Sequence, residues 1–422
     1  MDNRSFLDFL TASVTPFHTV RSVKEYLLEK GFTELFEQDA WQPLRGGRYF
    51  VIRGGGSLIA FVMPQGEARS FQIAAAHTDS PSFLVKGLDH VEGATRIRVE
   101  KYGSPVLSSW LDRPLSFGGR VMLSDGDGVR ETLISLSDMA LIPSVAPHLM
   151  KGAELNVAID LLPLFCEREA SLEELLAKKL GCDEKSILSH ELYLYPNEAP
   201  RIWGENAYIS AARLDDLACV YPLMSAISEA EPTDAISVLS LFSHEEIGSR
   251  TAEGAASTFL SDVLSRLAQS ESERRQTYQR MLALSFMISA DNAHAVHPNH
   301  PELSDAKTGS VYMKRGVVIK HSAAKRYTTD ALSEALTVSL FREENIPFQT
   351  YYNRADTVGG STLGCVSIEG VSVRSVDVGV AQLAMHSAYE TSSLSDVFQL
   401  QRLACTYFSK SLSRKNDRYF WR

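Results

Sequence analysis

Along residues 17–30 (FHTVRSVKEYLLEK), Val20, Val23, Leu27 and Leu28 recur at helical spacing and Gly31 follows as a stop, which predicts an amphipathic helix. The next pattern, RYFVIRGGGSLIAFVM, sets two apolar runs around Gly54, Gly55 and Gly56 and predicts a hairpin whose turn needs a permissive backbone. FQIAAA at 71–76 reads as a buried strand. From about residue 90 to 205 the runs shorten and alternate (TRIRVEKY, RVML, ETLISL), broken by Gly103, Gly118, Gly119 and the DGDG at 125–128, before a helical SLEELLAKKL. Beyond about residue 208 helical and strand patterns take turns: LDDLACVYPLMSAISEA, ISVLSLF, ASTFLSDVLSRLAQ, LALSFMIS, TTDALSEALTVSLFRE, FQTYY and VSVRSVDV. That order predicts an α/β fold, a mixed sheet covered by helices on both faces in a three-layer αβα arrangement, with a β-rich insertion. The expected division is a discontinuous α/β domain of residues 1–88 and 206–422 around an insert of 89–205.

Composition narrows what such a fold meets. The 422 residues are 44% hydrophobic and 22% charged, ordinary for a globular protein, and 42 Lys+Arg against 52 Asp+Glu give a formal charge of −10. With no dense basic run, neither nucleic acid nor an anionic membrane is an expected partner. No stretch approaches the roughly 20 apolar residues that span a bilayer, and MDNRSFLDFL carries acids where a leader would be apolar. Five widely spaced cysteines (Cys166, Cys182, Cys219, Cys365, Cys405) form no C-x-x-C pair, so a disulfide framework and a thiolate metal site are disfavoured and a cytoplasmic location is expected.

The apolar strands run directly into side chains able to bind metal. FQIAAA leads to His77-Thr78-Asp79, ISVLSLF to His244-Glu245-Glu246, LALSFMIS to Asp291, and VSVRSVDVGVAQLAM to His386. Ligand sites in open α/β sheets lie beyond the carboxyl ends of strands, so these residues are candidates to converge. Plainer readings stand beside this one: solvated acids at a strand end for Glu245 and Glu246, a helix N-cap for Asp291, and acids favourable to a helix dipole for Asp215 and Asp216. His294, His297 and His300 lie among Pro298 and Pro301 and read as structural or supporting. As a set, the nitrogen and oxygen donors suit zinc, manganese or cobalt. Two ions sharing one carboxylate need about five ligands and a general base. His77, Asp215, Glu246, Asp291 and His386 supply the five, Glu245 is left as the base, and Asp79 is placed to orient the His77 ring. No H-E-x-x-H helix is present.

AAAHTDSPSF, AARLDDL, FSHEEIGS, SADNAHAVHPN, QLAMHSAYE and YGSPVLSSWLDRPLSFGGRV, in order along nearly the whole chain, resemble the aspartyl aminopeptidase family of metallopeptidases. The resemblance implies a hydrolase with two divalent ions, usually Zn2+, that removes the amino-terminal residue of peptides, Asp or Glu by preference, through a metal-bridged water and Glu245. It maps His77, Asp215, Glu246, Asp291 and His386 as ligands and Asp79 as the residue orienting His77. His148 in APHLMK resembles a histidine that reaches a neighbouring subunit's active site. Lys320, with Arg326 and Tyr327, resembles the segment that recognises an acidic first residue. The insert is then a dimerisation or lid domain, and dimers assemble into a dodecamer. RLDD stands where the family often has RLDN, which leaves open whether Asp215 or Asp216 bridges the ions. The alternatives are a di-metal deacylase or amidohydrolase of small N-acyl compounds and, more remotely, a non-catalytic metal-binding scaffold.

Overall fold

The computed structural model describes residues 3–149, 154–167, 169–271, 276–305, 308–357 and 359–422. Its largest sheet has nine strands in the order Thr33–Leu35, Arg48–Arg53, Ser57–Val62, Ala235–Phe242, Ser70–His77, Phe286–Ala290, Arg374–Gly379, Val317–His321, Phe348–Tyr352. The central four, from Ala235–Phe242 to Arg374–Gly379, are mutually parallel, and antiparallel neighbours flank them.

Every residue of Ser70–His77 and of Ala235–Phe242 is buried, as parallel strands covered on both faces require. Phe71, Ile73 and Ala75 face one apolar layer with Phe259, Val263 and Leu267 of the helix Phe259–Glu271. Ala74 and Ala76 face the other, with Leu217 and Val220 of Leu214–Ser228 and Leu400 and Leu403 of Leu394–Phe408. The predicted mixed sheet between two helical layers is therefore the observed architecture. The helix expected over 17–30 runs Pro16–Glu29, after an earlier helix Asn3–Ala12, and Arg48–Arg53 pairs antiparallel with Ser57–Val62 across Gly54 and Gly55 at φ +61° and +81°. One expectation shortens: LALS does not open a strand, because residues through Ala283 close the helix Thr277–Ala283 and pairing starts at Phe286.

A second sheet of six strands, Gly128–Ala140, Leu115–Asp125, Ile187–Pro196, Ser82–Val91, Ala94–Tyr102 and Leu164–Cys166, is antiparallel throughout. It builds its own core from Phe83, Trp110, Phe117 and Leu192, closed by Leu172 and Leu176 of the helix Leu172–Leu180. Its first strand opens at Ser82, so the expected division at 88/89 falls inside that strand. Phe83 and Val85 pack into this second core.

A third sheet of five short strands decides what meets at the centre: Arg201–Trp203, Tyr208–Ala211, Glu390–Ser393, Ala381–Leu383, Ala293–His294. Ala211 leads to Asp215, Asp291 leads into Ala293, and the turn between Leu383 and Glu390 contains His386. Three candidate ligands from distant sequence are thus gathered by one small sheet at the carboxyl ends of the central strands. Among the described residues no helix is long and apolar enough to cross a membrane.

Candidate metal centre

His77 and Phe242 are paired at the ends of adjacent parallel strands, which brings His77 beside the SHEEIGS turn. That turn is a single tight helical turn, Glu245–Ile247, with His244 at φ +66° before it and Gly248 at φ +96° after it. Asp215 and Asp216, joined by a cis peptide bond, open the helix Leu214–Ser228 with non-helical dihedrals.

Donor atoms from these segments converge. His77 Nε2 lies 3.4 Å from Asp215 Oδ1, His386 Nε2 lies 3.6 Å from Asp215 Oδ2, and His386 Nε2 lies 3.5 Å from Glu246 Oε2. The groups His77, Asp215, Asp216 and Asp291; His77, Glu245 and Glu246; and Asp215, Glu246 and His386 each place one donor atom per residue within 4.8 Å of the others. Both imidazoles turn Nδ1 to a main-chain carbonyl, that of Asp79 at 3.0 Å for His77 and that of Ser104 at 3.1 Å for His386, leaving Nε2 for the cluster. Such outer partners fix ring orientation and tautomer at metal sites. Ligands about 2.0–2.2 Å from a tetrahedral zinc stand roughly 3.3–3.6 Å from one another, the range of the three separations above. Asp215 Oδ1 is buried and accepts no hydrogen bond among the described residues, an acceptor that a cation would satisfy.

Electrostatics points the same way. Burial pushes the Glu245 carboxyl up to about 8, with His77 opposing and the charges of Asp291, Asp79 and Asp215 adding to the rise. Glu246 is driven well above the carboxylate range by burial and then by Asp215; Asp216 is raised as strongly by burial, Asp291 and Asp215. Burial works against the charged form of Asp215 too, but His77, His386 and Lys320 together hold it below the ordinary value. Burial disfavours the imidazolium of His77, yet Asp216, Asp215 and Asp79 hold its pKa well above the usual. A buried surplus of carboxylates this dense is balanced either by protons or by metal ions, and the donor set fits the latter.

The cluster floors a cavity of about 380 Å³. Lys320 stands in its wall, with Nζ donating to the carbonyls of Asp291 at 2.8 Å and Asn292 at 3.2 Å, 3.7 Å from Asp291 Oδ2 and 5.1 Å from the centre of the Tyr327 ring. Tyr327 also lines the cavity, whereas Arg326 is exposed and does not. His148 is exposed on the insert, away from this cavity.

Asp79 lies against the His77 ring through both its carbonyl and its carboxylate, at 3.0 and 3.6 Å from Nδ1. Its carbonyl, not its carboxylate, makes the short contact to His77; the carboxylate oxygens accept the main-chain N–H of Glu245 at 3.1 Å and of Glu246 at 3.2 Å. His294, read from sequence as structural or supporting, and Glu390, given no role there, also enter. His294 lines the cavity, and Glu390 accepts the N–H of Asp215 at 3.0 Å and of His386 at 2.7 Å. Glu390 closes the QLAMHSAYE stretch, so a signal was present without a local reason to read it.

Comparison with known proteins follows this geometry. Residues 9–408 match the family described as aminopeptidase I zinc metalloprotease (M18). The chain is 37% identical over 418 residues to a probable M18 family aminopeptidase 2 of Clostridium acetobutylicum, covering 94% of this chain and 96% of that one. Its fold is similar to a chain in a cryo-EM structure of the Ape4 and Nbr1 complex, with TM-score 0.92, 31% identity and coverage of 96% of this chain and 85% of that one. It is also similar to the mApe1 dodecamer of S. cerevesiae, at TM-score 0.84 and 25% identity, covering 96% and 95% of the two chains.

Proposed function

The chain belongs to the M18 family of zinc aminopeptidases, and from that premise we propose that it releases acidic amino-terminal residues from peptides with Glu245 as general base. The observation that carries the reading is Asp215, each of whose oxygens faces a different imidazole. His77, Asp215 and Asp291 would hold one divalent ion, and Asp215, Glu246 and His386 a second; zinc is favoured, and cobalt or manganese has suitable chemistry. When bound, the ions would acidify a water and polarise the scissile carbonyl.

Glu245 is adjacent to the ligand Glu246 in the cavity wall, and its raised affinity for a proton suits a group that must take one and give it back. As the water oxygen attacks the carbonyl carbon, Glu245 accepts the proton. As the C–N bond breaks, it returns that proton to the departing amine. Lys320 supports the acidic preference as a cation in the cavity wall, held in place by the carbonyls of Asp291 and Asn292 and by the Asp291 carboxylate, with the Tyr327 ring beside it. The reading also includes dimers closing into a dodecamer through the insert, and a cytoplasmic setting, which five widely spaced cysteines with no C-x-x-C pair support.

Release rates from Asp-, Glu- and Leu-aminoacyl reporters, with an N-acetyl amino acid as control, test the substrate class. Asp and Glu should lead. Faster release of Leu would overturn the acidic preference, and turnover of the N-acetyl compound alone would overturn the peptidase reading. Glu245→Gln should retain zinc and lose about 10²–10⁴ in kcat; normal turnover would remove Glu245 from the base role.

A further inference from the structure

The insert reaches the catalytic centre through a segment the reaction above does not use, residues 102–109. Tyr102 ends the strand Ala94–Tyr102, and its hydroxyl donates to Asp79 Oδ2 at 2.7 Å. The same oxygen accepts the N–H of Glu246, and its twin accepts that of Glu245. Gly103 has φ +69°, and a Cβ there would lie 3.1 Å from the Cβ of Glu246. The Ser104 carbonyl meets His386 Nδ1, the N–H of Val106 donates to the His386 carbonyl at 2.9 Å, and Ser109 Oγ accepts the N–H of Ala388 at 2.9 Å.

We propose that this segment is a positioning element for the catalytic pair, with Tyr102 as its central residue. Tyr102 fixes the Asp79 carboxylate, and that carboxylate fixes the main chain from which Glu245 and Glu246 project. A buried phenol finds an acceptor in most proteins, so the bond by itself would signify packing. The task of its acceptor makes the difference. The Asp79 carbonyl makes the short contact to His77 Nδ1 at 3.0 Å, with Oδ1 farther off at 3.6 Å, while the two carboxylate oxygens accept the N–H groups of Glu245 and Glu246. The turn they hold is one helical turn between two left-handed residues, closed within itself by the Gly248 N–H to the Glu245 carbonyl at 2.8 Å and the Ser249 N–H to the His244 carbonyl at 2.7 Å, and the Asp79 carboxylate ties that closed turn to the end of the neighbouring strand. A base displaced by about 1 Å is expected to lose on the order of 10² in rate. Two arms therefore leave one insert segment, through Asp79 to the base and one ligand, and through Ser104 to the other histidine.

The inference rests on Glu245 as base and Glu246 as ligand, and its test separates the two ideas. In zinc-loaded enzyme, Tyr102→Phe should lower kcat about tenfold or more, with KM changed less than about twofold and the thermal midpoint nearly unchanged. Zinc affinity, read by competition with a chromogenic chelator, should fall severalfold through Glu246. In an Asp79→Asn background the same substitution should cost nothing further, because Tyr102 acts through that carboxylate. Wild-type kcat and zinc affinity in Tyr102→Phe, or losses that multiply in the double variant, would overturn the proposal. So would a fall in activity matched by a fall in folded protein. If Glu245→Gln proves fully active, the base assignment fails by itself, and the chelator competition still decides whether Tyr102 positions Glu246.

Discussion

Asp215 and Asp216 are covalent neighbours with opposite electrostatic fates. Asp215 lies between the two imidazoles and is held ionised, whereas Asp216 is pushed toward its neutral form by burial and nearby acids, with His77 opposing, and accepts the main-chain N–H of His77 at 3.2 Å. A neutral carboxylic acid is close in shape to an amide. Asp216→Asn should therefore change zinc affinity less than about tenfold, while Asp215→Asn should weaken it by about 10² or more and lower zinc content toward zero per chain. Chelator competition on the two purified variants checks this. The reverse order would make Asp216 the bridging residue, the alternative that RLDD left open.

At the scale of elements, legibility followed range. The long apolar strands ending at His77 and Phe242 and the helix Pro16–Glu29 were readable because their patterns are local and their faces are buried as whole stripes. Four of the ligand candidates were readable for a related reason, since each stands just past an apolar run. The five-stranded sheet was not, because pieces such as Ala293–His294 and Ala381–Leu383 are two and three residues long and exist through partners far away in sequence. The tie of Asp79 to Tyr102 escaped likewise: it depends on how the insert packs, which no spacing encodes. The helix Pro16–Glu29 carries a prediction of its own. His18 is buried in it, bonded to Thr15 Oγ1 at 2.7 Å, and its pKa is lowered to about 4 by burial and then by the charges of Arg21 and Arg213. The folded pKa lies below the unfolded one, so the unfolded chain binds the proton first. The stabilisation is fully present above about pH 6.5 and is lost as pH falls toward 4, about 3 kcal/mol in all. In excess chelator, so that zinc release does not enter, urea midpoints should show wild type losing stability over this window more steeply than His18→Gln. Parallel curves would show that His18 does not titrate across the fold.

For the whole molecule, the contact that bears on activity is between copies. His148 shares its stretch of the insert with Leu149, which is 75% exposed, and Ile159, 69% exposed, lies shortly beyond. Exposed apolar side chains near His148 in sequence suit a surface that another subunit covers, and His148 does not line its own chain's cavity. If His148 completes the site of a neighbour, two inactive chains should repair one another. A chain with His148→Ala keeps Glu245 and lacks the histidine it would lend; one with Glu245→Gln lends the histidine and lacks the base. In a two-fold contact each mixed pair contains one intact site of two, and random reassembly makes half the pairs mixed, so equal parts should regain about a quarter of wild-type turnover. Dissociating and reassociating the two purified variants, with subunit exchange followed by mass, measures it. Activity that stays at the average of the separate variants after exchange would confine His148 to its own subunit's surface.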